Sequence, residues 1–160
     1  MVLLIDALNV SYWCGSPPTL RLPLGLLIGA LVAGHDAQLV FDASAPYRLS
    51  ADADAYRELL RYPSRVTVVA SGRSADAVLL RQARSGGASI ISNDRYRDHR
   101  RRYRTLIDDA ARLLTGRVQD DRIEVPTLAL TVPLPASLQP SFDALHDYIK
   151  QGNGPPHAQR

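Results

Sequence analysis

Four short, largely apolar runs punctuate the first two-thirds of the chain, at residues 2–5, 38–41, 66–70 and Ser89–Ile91, with a weaker one at Arg122–Val125. Apolar residues at successive rather than alternate positions predict strands covered on both faces, as in a parallel sheet. Residues 22–33, 51–62, 75–85 and 101–115 between and after these runs carry helical spacing. Ser50 and Ser74 are placed to cap helix starts, and Gly34, Gly86 and Gly116 to stop helices. Strand and helix alternate four times, which predicts an α/β fold: a three-layer α/β/α sandwich with a central, mainly parallel sheet and right-handed crossovers. Past Pro126 the prolines thicken, at Pro133, Pro135 and Pro140. Residues 1–125 therefore read as one folded domain. Residues 126–160 read as a Pro-rich C-terminal extension with a short helix at 142–150 and a frayed tail at 152–160. No internal repeat is visible.

Composition narrows the classes. A chain of 160 residues with 46% hydrophobic content is long enough for one sizeable core. Nineteen basic residues against 16 acidic ones give a net charge of +3, and Lys150 is the only lysine. Concentrated arginine favours an anionic partner. The single cysteine, Cys14, excludes an intramolecular disulfide and a Cys-rich zinc site, and suits a reducing compartment. Met1 leads directly into an apolar run broken by Asp6, with no basic segment before it, so no signal peptide is expected. The longest apolar stretch, 22–34, would make a helix of about 20 Å at ~1.5 Å per residue, too short to cross a bilayer. A cytoplasmic protein without membrane contact is the expectation; self-association is left open.

The chemistry lies where the apolar runs stop. Residues 2–5 end at Asp6, with Asn9 following; Ser89–Ile91 is followed by Ser92-Asn93-Asp94-Arg95-Tyr96-Arg97-Asp98; residues 66–70 are followed by Asp76 at a helix start. Parallel sheets place their chemistry at such strand ends, so three distant segments can bring acids to one pocket. If the chain is helical from Arg95, Asp94 and Asp98 share a face. Asp42 closes the second run and is a further candidate. Carboxylates suit Mg²⁺ or Mn²⁺, hard cations that take oxygen ligands and keep several waters. Nucleophile-elbow, phosphate-loop and dinucleotide-binding glycine motifs are all missing, and His35, His99, His146 and His157 are scattered. Asp6-Ala7-Leu8 lacks the second acid that an aspartyl phosphatase would need. Arg95, Arg97, Arg100, Arg101 and Arg102 crowd the segment around the last acids, with Arg48 and Arg73 further off, and their planar forks suit phosphate. Tyr12, Trp13 and Tyr96 offer rings on which unpaired bases could stack.

These residues carry a resemblance. Asp6-Ala7-Leu8-Asn9-Val10 resembles the opening D-G-x-N-V of NYN domains in the PIN-like nuclease superfamily. Ser92 to Asp98 resembles the S-N-D-x-Y-R-D of its Regnase-type (CCCH-zinc-finger-associated) branch, and Ala75-Asp76 falls where that branch has paired aspartates. The resemblance spans roughly 1–125. It implies a PIN-like/NYN fold and a metal-dependent endoribonuclease acting on single-stranded or structured RNA. Asp6, Asp76, Asp94 and Asp98 would form the catalytic metal centre, with Asn9, Asn93 and Asp42 in support. The chain departs from the pattern at Ala7, in place of glycine, and at Ala75, in place of one aspartate. The second departure keeps an alternative in play, a catalytically silent RNA-binding pseudo-nuclease module. The zinc finger of some relatives cannot be built with one cysteine.

Overall fold

Leu3, Leu4 and Ile5 leave neither face of the first strand suited to water, and the chain puts that strand at the middle of its sheet. The computed structural model of the protein describes residues 1–152. Its main sheet contains β1 (Val2–Asp6), β2 (Asp36–Phe41), β3 (Val66–Val68), β4 (Ser89–Ile91) and β5 (Leu113–Leu114), in the order β3-β2-β1-β4-β5 and parallel throughout. Ile5 stands opposite Leu39 on one side and Ile91 on the other. The chain thus builds outward from β1 through β2 to β3, then returns to lay β4 on the opposite flank. Between β1 and β4 lies the switch point where open sheets of this kind leave a crevice at the strands' carboxyl ends.

Two apolar clusters cover the two faces, giving the expected three layers. On one face α1 (Ala7–Ser11), α2 (Arg21–Val32), α4 (Ala53–Leu59) and α7 (Gln139–Lys150) pack around Leu3, Ile5, Leu39 and Phe41. On the other, α5 (Ala75–Gly86) and α6 (Arg100–Ile107) cover Leu4, Val40 and Ile90. The helix α2 is apolar almost all round because it is wrapped almost all round. Its inner side meets the sheet, and Val132 and Pro135 press against Gly29 and Gly25 on its outer side, where side chains would have no room. Those two residues belong to the segment read as an extension, which also gives Leu130, Phe142 and Leu145 to the cluster around β1. Buried Arg65 pairs with Asp36 and lies 5.7 Å from the Tyr148 ring, which ties α7 to the sheet edge.

Several expectations need correction. Arg122–Val125 is a strand, β7, but it belongs to a separate antiparallel sheet with β6 (Arg117–Gln119) and β8 (Leu130–Pro133). The helix expected over 101–115 ends at Ile107. The Asp109 carboxylate accepts the Ala111 amide at 2.9 Å in a turn, and Leu113 and Leu114 then pair with β4. The helix expected over 51–62 is preceded by α3 (Ala45–Arg48) and a single 3₁₀ turn, Ser50–Asp52, so Ser50 caps nothing; Asp52 reaches instead to the Leu20 amide, 3.0 Å away, at the start of α2. Ser74 does cap α5, accepting from the Ala77 amide. The left-handed residue ending α5 is Gly87 rather than Gly86, and Gly116 stops no helix but lies against Trp13. The C-terminal helix begins at Gln139, earlier than 142, and the expected tail lies outside the described residues beyond Gly152. No described helix is long and apolar enough to cross a membrane.

Candidate metal centre

Asp6 is the last residue of the central strand and is 8% exposed. Its Oδ2 accepts two hydrogen bonds, from Ser92 Oγ at 2.9 Å and from Tyr96 Oη at 2.8 Å. Burial nevertheless pushes its pKa up, outweighing those two bonds and one from the Asn9 backbone amide, and the charge of Asp94 pushes the same way. The Tyr96 hydroxyl is held well above its ordinary value by burial and by the Asp6 charge beside it.

Around Asp6 the sheet's carboxyl edge gathers three more acids. Asp42 follows β2, Asp94 follows β4, and Asp76 sits in the first turn of α5. All four line one cleft of about 350 Å³, together with Asn9, Tyr12, Arg48 and Ala75. Half-buried Asp76 titrates at about 6 rather than 3.8, because of burial first and then the charges of Asp94 and Asp6; His99 opposes the shift and Asp42 adds to it. Asp98 stands apart from Asp6, in an adjoining hollow that it shares with Asp76, Asp94 and His99. The helical face expected to align Asp94 with Asp98 does not form. Tyr96 takes a left-handed conformation (φ 48°) between them, and residues Arg97–His99 make a 3₁₀ turn.

Other sequence candidates have different work. Asn9 Oδ1 accepts from both Trp13 Nε1 (3.1 Å) and the Asn93 amide (2.9 Å). Asn93 in turn pairs both ends of its side-chain amide with the Gly116 backbone, at 2.8 and 2.9 Å. The two asparagines therefore brace the loop after β4 against α1 and the loop after β5. Tyr96 cannot be a stacking surface, since it is 1% exposed: its left-handed backbone turns the ring into the core. Trp13 is half-buried against Gly116, which leaves Tyr12 as the ring on the cleft wall. The arginines spread over several places, and Arg95 and Arg97 also line the hollow around Asp98. Arg48 lines the acidic cleft; Arg95, Arg97 and Arg100 line a hollow of about 680 Å³ with Thr115 and Thr127; Arg73 and Arg102 line a smaller one beside Tyr103. Arg100 is paired with Asp108 at 2.8 Å, and exposed Arg101 joins none of these sites. Sequence reading missed Ser92 as an Asp6 partner. Its signal was available, a hydroxyl directly after a buried strand and next to the acidic motif.

The donor set suits a hard divalent cation: four carboxylates from separate elements, two of them buried enough to resist ionisation without a positive charge nearby. Among the described residues no three acid, histidine or cysteine side chains close in enough to hold an ion by themselves. An ion that keeps part of its water shell needs only one or two of them directly. No curated protein matches the chain in sequence. The family model described as the Zc3h12a-like Ribonuclease NYN domain matches residues 1–129, from β1 through β7 and the turn after it. That match covers most of the chain and every acid of the cleft, and the chain belongs to this family of NYN ribonuclease domains.

Proposed function

We propose that this protein is a metal-dependent endoribonuclease, hydrolysing phosphodiester bonds in single-stranded or loop RNA with Mg²⁺ or Mn²⁺ in the cleft of Asp6, Asp76 and Asp94, where one or two of these carboxylates would bind the ion directly and the rest through its water. The observation that carries this reading is the delivery of Asp6, Asp42, Asp76 and Asp94 from three strand ends and one helix start to a single cleft. A cation held there would neutralise phosphate oxygens and make water more acidic. The chain's own part is to orient: Arg48 on the cleft wall, with Arg95 and Arg97 beyond Asp94, would hold neighbouring phosphates through their planar donors. Tyr12 offers its ring to an unpaired base, which a duplex would not present. Asp98 and His99, on the rim, would face the strand as it leaves. Attack by water on phosphorus, with the P–O3′ bond breaking and the 3′-oxygen leaving with a proton, gives 5′-phosphate and 3′-hydroxyl ends, and the ribose 2′-hydroxyl takes no part. The cytoplasm is the proposed location.

One observation favours a second reading. Ala75 lines the cleft where a paired aspartate would add a carboxylate, so a silent RNA-binding module is the competitor. Incubation with labelled single-stranded RNA in Mn²⁺, Mg²⁺ or EDTA, beside Asp94→Asn, separates them. Cleavage is expected with metal, and none with EDTA or in the variant, which keeps its RNA affinity. Binding without cleavage under every metal supports the silent module, and cleavage indifferent to EDTA overturns the metal chemistry.

A further inference from the structure

Four hydrogen bonds close a ring among Asp6, Ser92, Asp94 and Tyr96. Ser92 Oγ donates to Asp6 Oδ2 (2.9 Å) and accepts the Asp94 amide (3.1 Å). The Tyr96 amide donates to Asp94 Oδ1 (2.7 Å), and the Tyr96 hydroxyl returns to Asp6 Oδ2 (2.8 Å). Both hydroxyls that donate to Asp6 choose the same oxygen, and Asp94 likewise has one oxygen engaged. Asp6 therefore has Oδ2 committed to two hydroxyls, with the Asn9 backbone amide also bonded to its carboxylate, and Asp94 has Oδ1 engaged, while both residues line the cleft.

Resting on the metal-centre reading above, we propose that Tyr96 and Ser92 are positioning residues that restrict Asp6 and Asp94 to one ligand oxygen each, and so tune the site for a small octahedral cation over Ca²⁺. Mg²⁺ and Mn²⁺ sites favour single carboxylate oxygens and water at short range. Ca²⁺ accepts more ligands and readily takes a carboxylate by both oxygens. An Asp6 with Oδ2 pinned by two hydroxyls cannot chelate in that way. The ring needs Tyr96 in its left-handed turn, a conformation that a bulky residue adopts only when its surroundings hold it. The buried phenol supplies that hold, since its ring is packed in the core and its hydroxyl ends on Asp6. This also explains why a residue flanked by two arginines faces inward.

Tyr96→Phe deletes one donor and keeps the ring, and Ser92→Ala deletes the other. Both are to be compared with the parent by calorimetric titration with Mn²⁺ and, separately, Ca²⁺, with thermal unfolding in EDTA to identify a folded variant. Loss of such an outer partner weakens metal binding by about 10-fold or more, so Mn²⁺ affinity should fall by that factor. Ca²⁺ affinity should fall less or rise, narrowing the preference for Mn²⁺ in either variant that folds. A structural role alone would leave that ratio unmoved. Ratios within about twofold of the parent in folded variants, or failure of both variants to fold, would overturn the positioning role while leaving the metal centre intact. A parent that binds no Mn²⁺, or binds it equally well with Asp94→Asn, would overturn the metal centre itself and this inference with it.

Discussion

Replacing Asp76 by asparagine should make the protein more stable at neutral pH. The carboxyl titrates at about 6 in the folded chain, against 3.8 ordinarily, because burial and the charges of Asp94 and Asp6 disfavour the anion. In the unfolded chain the group ionises near its ordinary value. Between those two pH values the folded state holds the extra proton, so stability falls as pH rises, and above 6 the whole penalty is present. About two pH units at ~1.4 kcal/mol each set a ceiling of ~3 kcal/mol. The side chain is only half-buried, and solvent screening reduces this to ~1.5 kcal/mol. Against it stands the favourable placing of an anion in the first turn of α5, ~0.5 kcal/mol, which asparagine gives up. The net gain is about 1 kcal/mol, or about 3 °C in Tm for a chain of this size. Thermal unfolding by circular dichroism in EDTA should show that gain at pH 7.5 and almost none at pH 4. Saturating Mn²⁺ should then raise the parent's Tm more than the variant's. A variant no more stable than its parent at pH 7.5, or one whose advantage persists at pH 4, would refute the crowding of acids on which the metal centre rests.

Two further substitutions probe the brace and the arginines. A Cβ on Gly116 would clash with the Trp13 ring, two of whose carbons would be 2.4 and 2.5 Å away, and would lie 2.7 Å from the Glu124 carbonyl oxygen, so Gly116→Ala should cost about 2 kcal/mol of stability in urea unfolding; a loss below about 0.5 kcal/mol would show that the loop gives way easily. Replacing Arg95 and Arg97 together by alanine should weaken RNA binding across sequences and reduce its salt slope by about 1.4, at ~0.7 for each lost contact with a single strand. An unchanged slope in filter binding would move the phosphate path to the Arg73 and Arg102 side.

The sheet and its acids were legible because both depend on local rules. A strand buried on two faces must be apolar at successive positions, and a run such as Val2 to Ile5 ending in Asp6 announces both the strand and the edge at which it stops. The elements that escaped follow other rules. Leu113 and Leu114 continue the apolar spacing of α6 and become a strand only because β4 is beside them. The antiparallel strands are short, carry Arg117, Gln119, Arg122 and Glu124 between apolar residues, and acquire a buried face only from α2 packing over them. At the site, residue type was readable and direction was not. Tyr96 and the two asparagines look like groups for a ligand, but a single positive φ turns the tyrosine inward. Asn9 and Asn93 meet each other across 84 residues of sequence.

The packing of β8 and α7 on α2 has a practical corollary. The family match ends at residue 129, whereas the apolar cluster beneath β1 takes Leu130, Phe142 and Leu145 from beyond it. A chain cut at 129 would keep every acid of the cleft and lose the cover over Gly25 and Gly29, leaving a leucine-rich helix wet along its outer side. Such a fragment would carry the whole candidate site on an aggregation-prone body. In this protein the stretch that carries the candidate site and the stretch that covers α2 are different lengths of chain.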